Sequence, residues 1–407
     1  MEWPVSDGLR GVRGPRRVVV VGGGLAGHTA AATLRAEGYD GGLTVLGAEP
    51  DPPYDRPPLS KELLDGTTDD TTLDTDLLDT DLDVDLRLRC RAVRLRPDAV
   101  ESTGGVHPYD AVVLATGSSP LRLGGTSRAV HALRTVADAR RLRAALRDGA
   151  SVAVVGAGWI GNEVATRAAA LDRKVTVIDA APTPLARALP AAVGERLVPW
   201  YAERGIDLRL STPVTGVDDR GVALADGGRV DADIVVAGIG ARPDTDWLRG
   251  SGVPLAPDGA VDADATLRTG PGPVYVAGDI VRWPSRLFGG RLRVEHWDHA
   301  AASARTAARN VLGRAEPYDP VPYFWSDQLG HRLQYVGHHD GADRLVLRGR
   351  PPGSWTALWF RGGRLRAALA VDDPRDVRDA RRLIAARRPL SAERAADPAV
   401  RLTDAAG

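Results

Sequence analysis

The sequence has one cysteine, Cys90, among 407 residues. That excludes an intramolecular disulfide, a CxxC redox pair and a cysteine metal cluster. Lysine is almost as scarce, with Lys61 and Lys174 standing against 51 arginines. The arginine excess reads as genomic codon bias. A position that keeps lysine against it is notable, because lysine is a compact, tunable point charge and arginine is not. Neither sign of charge dominates: 53 basic residues balance 53 acidic ones. A dedicated nucleic-acid binder would carry a basic excess. Long apolar runs are missing too, and none approaches the roughly 20 residues that span a membrane. Met1 to Arg17 hold no apolar stretch like a signal-peptide core. Pro4, Gly8, Gly11, Gly14 and Pro15 predict a disordered lead-in over residues 1–16. The expectation is a cytoplasmic protein without membrane or nucleic-acid partners.

What is present is ordinary globular material, 43% hydrophobic and 26% charged, long enough for two or three domains. An internal repeat organises it. VVVVGGGLAGHTAAATLRAEG begins at Val18, and VAVVGAGWIGNEVATRAAALD begins 134 residues later at Val152. Each copy has four apolar residues, a glycine turn and an alanine-rich stretch, which predicts buried parallel strand, tight turn and helix. A second strand follows each, over Leu43–Leu46 and Val175–Ile178. Two βαβ units imply two dinucleotide sites.

In the first copy Gly22, Gly24 and Gly27 form GxGxxG, with Leu25 and Ala26 inside it. Glycines there permit the sharp turn and close approach of backbone N–H groups to a pyrophosphate, at a helix N-terminus that favours anions. Glu49 lies 22 residues after Gly27, past the second strand, where an acid meets adenosine ribose hydroxyls. A lone GxGxxG is weak; strand, helix, second strand and acid in order make it strong. The second copy carries Gly156, Gly158 and Gly161 around Trp159 and Ile160, with Asp179 18 residues further on. A carboxylate there favours the free ribose of NADH over the phosphate of NADPH. Ala180, Ala181 and Pro182 follow it, although Arg187 comes later and tempers that preference.

Further strands are expected at Ala111–Gly117 (AVVLATG), Ile234–Val236 and Val274–Ala277, the last two ending at Gly238 and Gly278. Asp65 to Asp85 is acidic but matches no EF-hand spacing, and reads as solvated surface. Val84 to Leu95 alternates and reads as one strand with a wet face, placing Cys90 in a core. Tyr323–Val336 and Trp355–Val371 read as strands, the second with a hairpin at Arg361-Gly362-Gly363-Arg364. Asp373–Arg388 reads as an amphipathic helix. The fold class is α/β: two Rossmann-like dinucleotide-binding domains plus a C-terminal α/β interface domain.

At this point the chain resembles the FAD-dependent NAD(P)H:ferredoxin reductases of the putidaredoxin reductase type. The resemblance runs from about Arg17 to the C-terminus. It rests on PYDRPPLSK (Pro53–Lys61), ATG (Ala115–Gly117), GIGARP (Gly238–Pro243), VYVAGDI (Val274–Ile280), VEHWDHA (Val294–Ala300) and YFWSDQ (Tyr323–Gln328). It implies an FAD-binding domain over 17–117 and 240–319, an NAD-binding domain over 118–239 and a C-terminal domain over 320–407. Arg56 and Lys61 would lie along the FAD, with Lys61 near its ring and paired with Glu163 at the reacting edge. Ala115, Thr116, Gly117, Gly278, Asp279, His296, Trp297 and Trp325 would complete the FAD contacts. Gly240 and Arg187 would lie on the NAD side. Where the family often has an arginine after ATG, this chain has Ser118-Ser119-Pro120, with Arg122 as a substitute. Where it usually has Asn, this chain has His299. Glu295, His296, Asp298 and His299 could be read as a metal cluster, but the family string accounts for them without metal.

The implied function is hydride transfer from NADH to FAD, then single electrons to an iron–sulfur ferredoxin serving a monooxygenase or Rieske oxygenase. An acidic ferredoxin calls for a basic face, for which Arg378, Arg381 and Arg382 are candidates. The chain is expected to be a monomer or weak homodimer. One alternative on the same fold is a flavin-dependent disulfide reductase or NADH oxidase, which needs a cysteine where Leu59-Ser60-Lys61 stands. The other is an NADH-sensing flavoprotein resembling apoptosis-inducing factor.

Overall fold

The computed structural model describes residues 14–73, 83–124, 130–148 and 150–405. Most of the expected lead-in over 1–16 and part of the acidic stretch, 74–82, lie outside the described residues. Two largely parallel sheets are each built around one copy of the repeat. In the first, Arg17–Val21 lies between Gly42–Leu46 and Ala111–Leu114. Val84–Arg87 continues one side, and Val274–Val276 with the antiparallel edge Arg268–Thr269 continues the other. Val18 to Val21 are all buried, as the strand of a sheet covered on both faces must be. Helix Leu25–Ala36 packs on helix Trp297–Val311, both burying alanines, whose small side chains let the backbones approach.

The second sheet repeats the plan. Ser151–Val155 lies between Lys174–Ile178 and Ile234–Ala237, with Asp207–Arg209 and Val130–His131 at the edges. In both sheets the chain therefore reverses its direction of growth beside the glycine turn. That is the switch point where open α/β sheets hold ligands. An antiparallel ribbon of Ser118–Pro120 and Ala241–Pro243 joins the two units.

The third unit is an antiparallel sheet ordered Tyr323–Gln328, His331–Gly337, Arg364–Val371, Trp355–Arg361 and Arg344–Gly349. Alternate residues face opposite ways. Trp355, Ala357 and Trp359 join the core of the second unit, while Leu358 and Phe360 join the core that includes the C-terminal helix. Burial on both faces explains the nearly continuous apolar run. Gly362 and Gly363, at φ 55° and 69°, make the expected hairpin. Helix Pro374–Ala386 starts where Asp373 accepts hydrogen bonds from the amides of Arg375 and Asp376. The strand Arg344–Gly349 was not expected.

Val84–Leu95 is not a single strand. It turns at Arg89, φ 55°, and continues as Ala92–Leu95 in a separate antiparallel sheet with Ala99–Ser102 and Gly105–Pro108. Apolar alternation survives such a break, so periodicity alone could not reveal it. Cys90 is buried in that turn, its sulfur 3.0 Å from Ser102 Oγ.

Candidate functional site

Both glycine turns open into one cleft of about 2350 Å³, also bordered by the third unit. Single small-molecule sites usually run to about 300–1,000 Å³, so this cleft has room for two ligands. The turns are built alike. Gly22 and Gly156 sit at φ 128° and 106°, and a Cβ would lie 2.1 Å from the Ala115 carbonyl oxygen or 2.4 Å from that of Gly238. Gly24 and Gly158 cap their helices with no side-chain hydrogen bond, leaving helix N-termini facing the cleft. Two uncapped helix ends behind bare backbone fit two pyrophosphates. Leu25, Ala26, Trp159 and Ile160 line the cleft on the first turns of these helices.

Beside the first turn, charged groups interlock. Glu49 accepts from Tyr54 Oη at 2.5 Å and Arg56 Nη2 at 2.9 Å. Arg56 also donates to the Arg134 carbonyl at 2.6 Å and reaches towards Gly24. Burial pushes the Tyr54 phenol up, so it remains a donor. Asp279 accepts from Ser118 Oγ at 2.8 Å and Arg134 Nη2 at 2.9 Å. Burial raises its pKa, but the Arg134 charge and the Ser118 hydroxyl outweigh it and hold the carboxyl below its usual range. Arg134 Nε is enclosed with no partner among the described residues, a donor suited to an anionic ligand. Ala115, Thr116 and Gly117 follow the strand Ala111–Leu114, and Gly117 lies against Arg134. Sequence reading passed over Arg134, one arginine among many, and offered Arg122 as the stand-in. Arg122 lines the cleft, but it is Arg134 that meets Asp279.

Lys61 and Glu163 come together although 102 positions separate them. Lys61 ends the proline-set turn Pro57–Ser60, and Glu163 lies one turn into helix Trp159–Ala170. Their Nζ–Oε2 distance is 2.8 Å, and only 8% and 4% of the two side chains is exposed, so this is no surface ion pair. Ser60 Oγ donates to Glu163 Oε2 at 2.5 Å, and Ser326 Oγ donates to Oε1 at 2.6 Å. Lys61 also donates to the Pro57 carbonyl at 3.3 Å. Two of its three N–H groups thus meet protein acceptors, leaving one for the cleft.

Aromatics close the same end. Trp297, 39% exposed, donates from Nε1 to Asp55 Oδ1 at 2.5 Å. Its ring meets Trp325 edge-on at 6.2 Å, and Trp325 stacks on Tyr323 at 6.1 Å. His296 caps helix Trp297–Val311 and packs on Phe324 at 4.6 Å. Burial, with His299 nearby, lowers its pKa to about 3 and keeps it neutral. His299 faces away: it bonds Tyr318 Oη at 2.7 Å and the Gly278 carbonyl at 3.2 Å, and stacks on Trp283. Glu295 pairs with Arg293, and Asp298 pairs with Arg381 at 3.1 Å. The four side chains of the metal reading therefore go to separate partners.

Beside the second turn the furnishing is lighter. Asp179 accepts from the amides of Ala157 at 2.7 Å and Ala181 at 2.8 Å, which fixes it at the cleft wall. Gly161 packs under the turn, and Gly240, at φ 112°, lies under Arg187. Arg187 donates to the Ile239 carbonyl at 2.9 Å. A buried pair, Tyr201 Oη to Asn162 Oδ1 at 2.7 Å, braces this helix and had no sequence signal.

Residues 16–304 match the pyridine nucleotide-disulphide oxidoreductases, and residues 323–406 match the reductase C-terminal family. The chain is 38% identical to the anthranilate 1,2-dioxygenase system ferredoxin–NAD(+) reductase component of Burkholderia cepacia, over 94% of this chain and 98% of that one. It is 36% identical to rhodocoxin reductase of Rhodococcus erythropolis, over 93% and 92% of the two chains. A chain of the covalent putidaredoxin reductase–putidaredoxin complex superimposes with a TM-score of 0.90 at 30% identity, over 96% of this chain and 97% of that one.

Proposed function

The chain belongs to the pyridine nucleotide-disulphide oxidoreductase family, and on that premise we propose that it is an FAD-containing NADH:ferredoxin reductase. FAD occupies the cleft at the first glycine turn, within residues 17–117 and 240–319. NADH enters at the second, within 118–239. The observation that carries this reading is the buried Lys61–Glu163 pair lying where both turns open. Bound FAD supplies the conversion between two-electron uptake from NADH and one-electron release to an iron–sulfur centre.

The residues do the rest. Arg134 and the helix N-terminus at Gly24 take the pyrophosphate, and Glu49, locked by Tyr54 and Arg56, takes the ribose. The spare Lys61 N–H and its positive charge would favour a negatively charged cofactor ring, and Glu163 keeps that ammonium in place. Trp297 and Trp325, which line this end of the cleft, would stand beside the ring. Asp179 meets the NADH ribose and repels an added phosphate. No thiol stands at Leu59-Ser60-Lys61, and Cys90 is held by Ser102, which speaks against disulfide reduction.

Arg381 lies over the Tyr323 ring at 5.8 Å, next to Trp325, and with Arg378 and Arg382 offers a basic face to an acidic ferredoxin. Among the described residues no helix is long and apolar enough to cross a membrane. We place the protein in the cytoplasm, as a monomer or weak homodimer. The test is NADH-driven reduction of a [2Fe–2S] ferredoxin from the same genome, at low and high salt. Turnover that slows with salt is expected; no ferredoxin reduction at any ionic strength would overturn the reading.

A further inference from the structure

Glu163 receives more hydrogen bonds than an ion pair needs, and one comes from the third unit. The strand Tyr323–Gln328 lies along helix Trp159–Ala170. Phe324 meets Trp159 edge-on at 4.7 Å, Ser326 Oγ reaches Glu163, and the Leu329 amide donates to Thr166 Oγ1 at 2.8 Å. Positions 159, 163 and 166 are one stripe of a helix, so the contact is in register along its length. The strand's other face carries Tyr323 and Trp325 towards Trp297 and Arg381. One strand therefore touches the buried pair on one side and the proposed acceptor side on the other.

Ser326 is 1% exposed, and its proton has one direction to go. Gln328 Nε2 donates to Ser326 Oγ at 3.2 Å, and an amide N–H cannot accept. The hydroxyl hydrogen is thereby committed to Glu163 Oε1, while Ser60 and Lys61 occupy Oε2. Chained hydrogen bonds of this kind strengthen one another in a low-dielectric interior.

We propose that Ser326 is a positioning residue that sets, through Glu163, how much of the Lys61 charge acts on the flavin. By sharing the carboxylate's negative charge, the hydroxyl loosens the hold of Glu163 on Lys61. Without it, Glu163 draws the ammonium towards itself, and less positive charge faces the cofactor. The inference rests on the reading that FAD lies at the first glycine turn.

The experiment is a double-mutant cycle read by the midpoint potential of bound FAD, titrated against a reference dye without ferredoxin. Ser326→Ala is expected to make the potential more negative by about 30 mV, the equivalent of a tenfold change in a two-electron equilibrium. In a Glu163→Gln background the same substitution should shift nothing, because the path runs through the carboxylate. Ser326→Thr, which keeps the hydroxyl, should stay near the wild-type value. An unchanged potential in Ser326→Ala overturns the proposal. So does an equal shift in both backgrounds, which would mark a purely structural role. Failure of wild-type protein to reduce ferredoxin would strike the functional reading instead and leave these potentials untouched.

Discussion

The two glycine turns share sequence, strand order and backbone, yet their surroundings differ. The first is enclosed by interlocked charges: Glu49 with Tyr54 and Arg56, and Asp279 with Arg134 and Ser118. Beside the second, Asp179 is fixed by backbone amides and Arg187 by a hydrogen bond to the Ile239 carbonyl at the rim. Half-buried, mutually paired charges suit a ligand that stays, because removing either the ligand or one partner leaves a charge poorly compensated. A lightly furnished site suits a ligand that must leave at every turnover. On the proposed reading, the difference separates a resident FAD at the first turn from a visiting NADH at the second, although the motifs look interchangeable.

Breaking the resident site should have the largest effect. Arg134→Ala strands Asp279 and removes the enclosed donor. FAD affinity should fall about 100-fold or more, seen as protein that purifies with little bound flavin absorbance. Full flavin occupancy in this variant would end the distinction. Lys61→Ala should keep FAD but slow its reduction by NADH by about 100-fold in stopped flow, as for loss of one preorganised charge donor.

The rear of the resident site should also show in its acid sensitivity. Burial depresses His299 to about 4, against an unfolded value near 6.5. A histidine lowered on folding leaves the unfolded chain holding more protons between those values. Stability is therefore full above about pH 6.5 and falls towards pH 4, by about 3 kcal/mol from this group. The Tm of the wild type should fall with pH across that window, and that of His299→Asn should fall less. The smallest effect should come from the visiting site. Asp179→Ala should leave flavin content intact, raise KM for NADH about tenfold and narrow the preference over NADPH, since a charge-assisted hydrogen bond is lost. An equally large loss of FAD there would erase the comparison.

The sequence disclosed the fold through its repeat, because a buried parallel strand, a glycine turn and an alanine-rich helix each have a local signature. Lys61 stood out because lysine is rare here, and Glu163 because it sits inside a motif. Arg134 did not: among 51 arginines nothing local marks one whose role comes from meeting Asp279, 145 positions away. Ser326 was hidden for a similar reason. Its hydroxyl matters only because the third unit lays its strand on the helix that carries Glu163. The break inside Val84–Leu95 escaped because alternation says which side chains are buried, not whether the backbone stays straight.

Electrons should enter in pairs from NADH and leave singly. The most direct test is to count reduced [2Fe–2S] ferredoxin formed per NADH consumed, anaerobically and with catalytic amounts of the protein. Two are expected. Consumption of NADH with no reduced ferredoxin, the electrons appearing instead in a disulfide or in oxygen on its admission, would contradict this.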